Sequence, residues 1–272
     1  MPAPPVAFIA AISSDIGQAM AQIYRARGWH VVGTYRDAAA VAGFTDDDGV
    51  ELLACDLASP EQIDAVARHL QQKAIGWDLF VSAVGMLAPI GPFFSLDRQE
   101  WLHSVTANGA AQLALLHAIF PFRRAAPLAR AAFLVGGALN RGFPNYSAYS
   151  LGKLDLVKFC ELIHEECPDL HAVALGTGWV ATKIHRQTLA AGAMAGSNLE
   201  RTAQFLVASQ SGTSVSDIVA CLDWCFAQDR AVTGGRNFSV VHDPWREGGA
   251  GLAQALRHDD AMFKLRRHAD VT

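Results

Sequence analysis

The sequence has no paired-cysteine framework. Its five cysteines (Cys55, Cys160, Cys167, Cys221 and Cys225) form no Cys-x-x-Cys pair, and Cys221 and Cys225 fall one turn apart in an apolar helical pattern. They read as core thiols rather than metal ligands, so no metal is expected, and an odd, unpaired set fits a reducing compartment. Basic runs are missing as well: none is longer than Arg266-Arg267, and the net charge is -4. That leaves no electrostatic footprint for nucleic acid. The amino-terminal stretch MPAPPVAFIAAI lacks the positive region of a signal peptide. Its apolar run is also too short to span a bilayer, so a soluble cytoplasmic protein with no membrane partner is expected. Internal repeats and low-complexity linkers are absent too. The chain of 272 residues is 51% hydrophobic and 18% charged, which suits one large domain with a sizeable core and excludes disorder.

Apolar runs and helical patterns alternate along the chain. Val6 to Ala11 reads as a buried strand, and a helical pattern runs from Gln18 to Arg27 and stops at Gly28. Strands are expected at His30 to Thr34, Glu51 to Cys55 and Asp78 to Ser82, with an amphipathic helix from Pro60 to about Gln72. Asp97 to about Phe120 reads as one long helix, Ala131 to Val135 as a fifth strand and Ser147 to Glu166 as another long helix. Leu170 to Leu175 and Asn237 to Val241 complete about seven strands, with a mixed, small-residue segment from Thr182 to about Thr213 that suits a mobile lid, and a helix at Val215 to Ala227. This is the pattern of an α/β, Rossmann-like, doubly wound parallel sheet with helices on both faces. Ligands of such folds bind outside the carboxyl ends of the strands.

Within the second long helix, Tyr149 and Lys153 stand four apart and so share one face. An ammonium beneath a phenol favours the ionised phenol, and a tyrosine with its pKa drawn down can exchange a proton during carbonyl or alcohol chemistry. Taken alone, the spacing describes many surface helices. Other short stretches, however, stand in order around it: Ala10-Ala11-Ile12-Ser13-Ser14-Asp15-Ile16-Gly17, Ser82-Ala83-Val84-Gly85, Trp101 with Asn108, Thr177-Gly178-Trp179-Val180-Ala181-Thr182 and Val232-Thr233-Gly234-Gly235. With these the chain, from about residue 5 to 241, resembles the short-chain dehydrogenase/reductase family in a divergent form.

The resemblance implies roles. Tyr149 would be the general acid, Lys153 would lower its pKa and hold the nicotinamide ribose, and Asn108 would anchor a proton-relaying water. Ala11, Ser13, Ser14, Asp15 and Ile16 would offer backbone N–H groups and a helix N-terminus to a pyrophosphate. Asp15 could instead cap that helix. Tyr35 followed by Arg36 stands where an acid would hold a ribose 2′-hydroxyl, and a guanidinium there suits a 2′-phosphate, so NADP(H) is the expected cofactor. Asp56, with Leu57, would contact the adenine or else cap the turn at Leu57-Ala58. Ala83, Val84 and Gly85, then Thr177, Gly178, Val180 and Thr182, would line the rest of the cofactor site.

Three departures stand out. Ala11 and Asp15 replace glycines of the first turn, and Gly136, followed by Gly137, replaces the serine the family carries thirteen residues before its tyrosine. Losing that one polarising hydrogen bond would cost roughly 2–4 kcal/mol of barrier. Asn140, Ser147 or a freed backbone N–H are the candidate substitutes. Gly136, Gly137, Asn140 and Trp179 are expected near a small-molecule substrate. The expected activity is ketone–alcohol interconversion on an unidentified substrate of the class of sugar-related or other small polar metabolites. The alternatives are a non-catalytic nucleotide-binding relative and a non-redox lyase or epimerase. The tail from about residue 242 is expected to dock on apolar surface, with Trp245 a core or interface residue sooner than a substrate contact. A homodimer or homotetramer built on the two long helices is expected.

Overall fold

The computed structural model describes residues 3–44, 49–208, 212–247 and 249–267, with Gly137 and Ala138 described through their backbone alone. The chain runs β1 (Val6–Ala10), α1 (Asp15–Ala26), β2 (His30–Tyr35), β3 (Val50–Ala54), α2 (Pro60–Gln72), β4 (Leu79–Ser82), α3 (Arg98–Asn108), α4 (Ala110–Ile119), β5 (Ala129–Val135) and α5 (Ser147–Glu166). It continues with β6 (Leu170–Gly176), α6 (His185–Ala191), α7 (Ser197–Val207), α8 (Val215–Ala227), the short α9 (Arg230–Thr233), β7 (Asn237–Ser239) and α10 (Ala250–His258). The strands form one parallel sheet in the order β3-β2-β1-β4-β5-β6-β7. The order reverses between β1 and β4, which opens a crevice at the carboxyl ends there.

All five residues of β1 and all seven of β6 are buried, as continuous apolar strands covered on both faces must be. One apolar core joins the sheet to α1, α8 and the tail residues Trp245, Leu252 and Leu256. The other joins it to α2, α4 and α5. Cys221 and Cys225 are free thiols buried in the first core.

Besides shifts of one or two residues at strand ends, three differences from the sequence reading have a local reason. α1 starts at Asp15, not Gln18, because Ser14 is its N-cap and accepts from the Gly17 N–H at 3.0 Å. Asp15 is therefore not the cap. The expected single helix from 97 to 120 is two helices, α3 and α4, broken at Gly109. A Cβ at Gly109 would lie 2.6 Å from Asp155 Oδ2, and one at Gly152 would lie 2.6 Å from the Asn108 Cβ, so the break and α5 meet glycine to glycine. Stretch 98–122 is apolar and long enough to cross a membrane by composition, yet here it is broken and packs on α2 and α5. β7 stops at Ser239 because the chain turns back there: the Asp243 carboxylate accepts from the Ser239 N–H at 2.6 Å.

The tail is stitched to the body. Arg236, 1% exposed, donates to the carbonyls of Leu256, Asp259 and Met262 at 2.9, 3.0 and 2.5 Å. Glu161 on α5 accepts from Leu265 N and the Arg266 guanidinium. Trp245 is buried and donates to the Val240 carbonyl at 2.9 Å, a core position.

Candidate active site

Two cavities open at the carboxyl edge of the sheet. The first, of about 550 Å³, lies over β1 to β4, and the second, of about 440 Å³, lies over β5 and β6 beneath α6 and α7. Ile16, Ala83, Val84, Gly85, Thr182 and Ile184 line both, so the two form one trough.

The first cavity collects Ala11, Ser13, Ser14, Asp15, Ile16, Tyr35, Arg36, Asp56 and Leu57 from three separate strand ends. The turn after β1 is tight: Ala11 has φ +59, a left-handed value that favours glycine. It also explains which glycine of the motif survives, since a Cβ at Gly17 would overlap the Ala11 carbonyl oxygen. Beyond the Ser14 cap, the N–H groups of Asp15 and Ile16 have no partner among the described residues. The Asp15 carboxylate accepts instead from the Lys183 N–H at 2.5 Å, while Lys183 Nζ donates to the Ser13 carbonyl at 2.9 Å. These bonds clip the loop after β6 to the loop after β1. Arg36 has no hydrogen-bond or ion-pair partner among the described residues. The neighbouring Asp37 accepts from the Ala39 N–H rather than from Arg36. Asp56 accepts from the Ala58 N–H at 3.0 Å and so caps its own turn while lining the cavity.

The second cavity holds Tyr149, Lys153, Gly136, Asn140, Thr177, Gly178, Trp179, Val180 and Thr182. Lys153, 2% exposed, donates to the carbonyls of Val84 and Leu134 at 2.6 and 2.8 Å. Burial penalises its charge and pushes its pKa down to about 7. The Tyr149 hydroxyl has no hydrogen bond among the described residues, and burial pushes its pKa up to about 12. The expectation that Lys153 lowers the Tyr149 pKa thus fails, because burial is what shifts it. The ammonium spends two of its three protons on carbonyls and stands 6.0 Å from the ring centroid. A Cβ at Gly136 would overlap the Tyr149 hydroxyl oxygen, so the phenol rests in the space a side chain at 136 would fill.

Asn108 is fully buried and lines neither cavity. Its amide brackets Met86, accepting from the N–H at 3.0 Å and donating to the carbonyl at 2.7 Å, and it also donates to Ser104 O. The Asn108 carbonyl accepts from Gln112 Nε2 at 2.8 Å. Its visible work is to hold the loop that carries Val84 and Gly85. Ser147 is no substitute for the missing serine: its Oγ accepts from Trp101 Nε1 at 3.0 Å and lies outside both cavities. Asn140 remains in the lining, and the environment of Gly137 lies outside the described residues.

Several lining residues escaped the sequence reading. Tyr146 is buried, stacks on Phe143 with centroids 4.3 Å apart and donates to Thr188 on α6. Trp179 stacks on His185 at 5.3 Å, and both contact Phe205 on α7. Arg141, Asn198, Arg201 and Thr202 also face the cavity. The usable signal was the polar spacing of Asn198 and Thr202, four apart on α7, where a covering helix would otherwise be apolar.

Known proteins match this arrangement. A family model described as Enoyl-(Acyl carrier protein) reductase matches residues 10–211. The chain is 26% identical over 158 residues to the 3-oxoacyl-[acyl-carrier-protein] reductase FabG of Vibrio cholerae, over 56% of this chain and 64% of that one. It is 25% identical over 111 residues to the short chain dehydrogenase pigC of Monascus ruber, over 41% of this chain and 37% of that one. The match thus spans less than two thirds of the length of either relative. A short chain dehydrogenase from Shigella flexneri 2a, solved in complex with NADP, has a TM-score of 0.72 at 16% identity, over 87% of this chain and 96% of that one. With its seven-stranded parallel sheet, its two-part trough and a family match across most of its length, the chain belongs to the short-chain dehydrogenase/reductase family of oxidoreductases.

Proposed function

We propose that the protein is an NADP(H)-dependent oxidoreductase that interconverts a ketone and a secondary alcohol on a small polar metabolite, with Tyr149 moving the proton. The observation that carries this reading is the continuous trough, with Tyr149 and Lys153 in one half and the unpaired Arg36 in the other. The residues fit a dinucleotide. Ser13, Ser14 and the free N–H groups of Asp15 and Ile16 would hold its pyrophosphate, Arg36 a 2′-phosphate, and Asp56 and Leu57 the adenine. Ala83, Val84, Gly85 and the loop from Thr177 to Thr182 would flank the nicotinamide end. When bound there, the cofactor supplies or accepts a hydride.

The chain's own part is proton and charge management. Tyr149 holds a proton at its hydroxyl across neutral pH, because burial keeps its pKa high. A phenol of that kind is suited to donate to a carbonyl oxygen on which negative charge develops. Lys153, near pH 7 in its own titration, has one N–H beyond those given to Val84 and Leu134. That donor and the lysine's charge are available to a phenolate left after the transfer.

Substituting Tyr149→Phe is expected to cut turnover by about 100-fold or more while NADPH binding, followed by its fluorescence, is retained. Turnover that survives the substitution would end the assignment. One observation favours a second reading, a non-catalytic nucleotide binder: the phenol rests against Gly136 with no hydrogen bond. NADPH binding without turnover of any ketone or alcohol would support that reading. For assembly, we infer a homodimer or homotetramer through α3 and α5, whose Leu102, Leu151 and Leu162 are half exposed. Sedimentation as a monomer would refute it. Localisation in the cytoplasm accords with the unpaired thiols.

A further inference from the structure

The second cavity carries polar side chains that neither the fold nor the proposed proton transfer uses. α7 turns Asn198 and Thr202 toward it, 5% and 2% exposed, at positions where a covering helix is ordinarily apolar. Neither side chain has a hydrogen-bond partner among the described residues, and the buried Asn237 Oδ1, in the same lining, has none either. Buried polar groups left without partners call for one from outside the chain.

Two arginines complete the wall. Arg201 stands on α7 beside Asn198 and Thr202, and Arg141 follows Asn140 in the connection between β5 and α5. Neither guanidinium has an ion pair or hydrogen bond among the described residues. The two walls adjoin: a Cβ at Gly196, where α7 begins, would lie 2.9 Å from Asn145 Nδ2 in that connection. Asp243 is the one carboxylate in the lining, and it is occupied by the Ser239 N–H. Lys264, also in the lining, is paired with Asp260 at 2.6 Å. A chain of net charge -4 therefore turns a positively charged wall toward its substrate cavity.

We propose that the Arg141–Arg201 wall binds an oxyanion, a carboxylate or a phosphate, carried by the substrate. The substrate class is then an anionic ketone or hydroxy compound rather than a neutral one. Two free guanidinium forks that share one lining with amide and hydroxyl donors match the planar, many-lobed acceptor geometry of such groups. Phe143 and Tyr146 line the same cavity and pack with Tyr149 in one apolar cluster, which suits the carbon skeleton. This inference rests on the proposed function only in naming the bound molecule a substrate.

Matched probes separate charge from shape: benzoylformate against its methyl ester, and a hexose phosphate against the free hexose. Binding to the full chain is measured by calorimetry for the wild type and for the double variant Arg141→Gln/Arg201→Gln. Both arginines are exposed and unpaired, so the fold is expected to survive the change, and a thermal melt verifies it. The charged member of at least one pair is expected to bind about tenfold or more tightly than its neutral partner and to lose that preference in the double variant. Whichever pair responds distinguishes carboxylate from phosphate. The proposal is overturned if neither anion binds, if the neutral partners bind equally well, or if the preference survives the double substitution. Nicotinamide oxidation is followed in parallel. A charge preference without redox turnover overturns the oxidoreductase reading and leaves the anion site. Equal turnover of acid and ester does the reverse.

Discussion

Lys153 offers the most direct test of the site's electrostatics. In the unfolded chain its pKa is the ordinary 10.5, and in the fold it drops to about 7, because burial disfavours the ammonium. Between those values the unfolded chain binds one more proton than the folded one, so stability rises with pH by about 1.36 kcal/mol per unit. It is lost again as pH falls from the unfolded value through the folded one. Because the folded lysine is still half protonated at the lower end, the gain from about pH 7 to about pH 9 comes to about 2 kcal/mol. Other groups titrate in that window, but a comparison with Lys153→Met removes them from the difference. Tyr149 does not interfere: its pKa is raised to about 12, so its contribution falls only above pH 10. The assay is urea unfolding of the ligand-free protein and the variant across that range. The wild-type curve is expected to climb relative to the variant by about 2 kcal/mol. Parallel curves would refute the reasoning and place the Lys153 pKa near its ordinary value in the fold.

Three further outcomes follow from particular contacts. Gly136→Ser puts a Cβ where the Tyr149 hydroxyl rests, so kcat/KM for any substrate turned over should fall about tenfold or more and stability by about 1–3 kcal/mol. A rise in kcat/KM would show that the phenol moves aside freely. Ala11→Gly relieves a left-handed alanine worth roughly 1–2 kcal/mol, less the added backbone entropy of glycine. A net stabilisation of about 1 kcal/mol or less is expected in urea, and a clear loss would contradict it. Arg236→Met leaves the carbonyls of Leu256, Asp259 and Met262 without their donor, and about 3 kcal/mol of stability should go with it. Limited proteolysis should then cut the tail first, and an unchanged digest would contradict the anchoring role.

The sheet was legible in the sequence because parallel strands buried on both faces leave uninterrupted apolar runs. β1, β4 and β6 are of this kind. The α3–α4 break was not legible, since the apolar pattern runs straight through Gly109, and only the approach of Gly152 from α5 shows why a glycine stands there. Of the trough, the residues that share a short stretch were found, such as Tyr149 with Lys153 and the loop from Ala11 to Ile16. Those that meet only through the fold were missed. Arg141, Asn198 and Arg201 are ordinary polar residues until the connection after β5 and α7 are seen to wall one cavity. The direction of the Lys153–Tyr149 effect was misread for the same reason. Helical spacing brings the two side chains together, but it does not reveal the carbonyls of Val84 and Leu134 that take the ammonium's protons.

The departures at Asp15 and Gly136 differ in what they cost a bound ligand, and exposure decides which matters. The Asp15–Lys183 pair is 38% and 48% exposed, with its charged ends 3.9 Å apart, so solvent screens it and opening it costs about 1 kcal/mol or less. The Asp15 carboxylate is therefore a light clip between the loop after β1 and the loop after β6. Tyr149 and Lys153 are different, because their environment is set by burial. Lys153 is held by two backbone acceptors, Leu134 in β5 and Val84 in the loop just past β4. What can change is the phenol, whose hydroxyl has no hydrogen bond among the described residues and rests over a residue without a side chain. The freedom that Gly136 leaves beside Tyr149 is thus the feature that departs from the serine the family resemblance implies at that position. If Tyr149 moves the proton as proposed, its position is set by the ligand that enters rather than by a partner already waiting for it among the described residues.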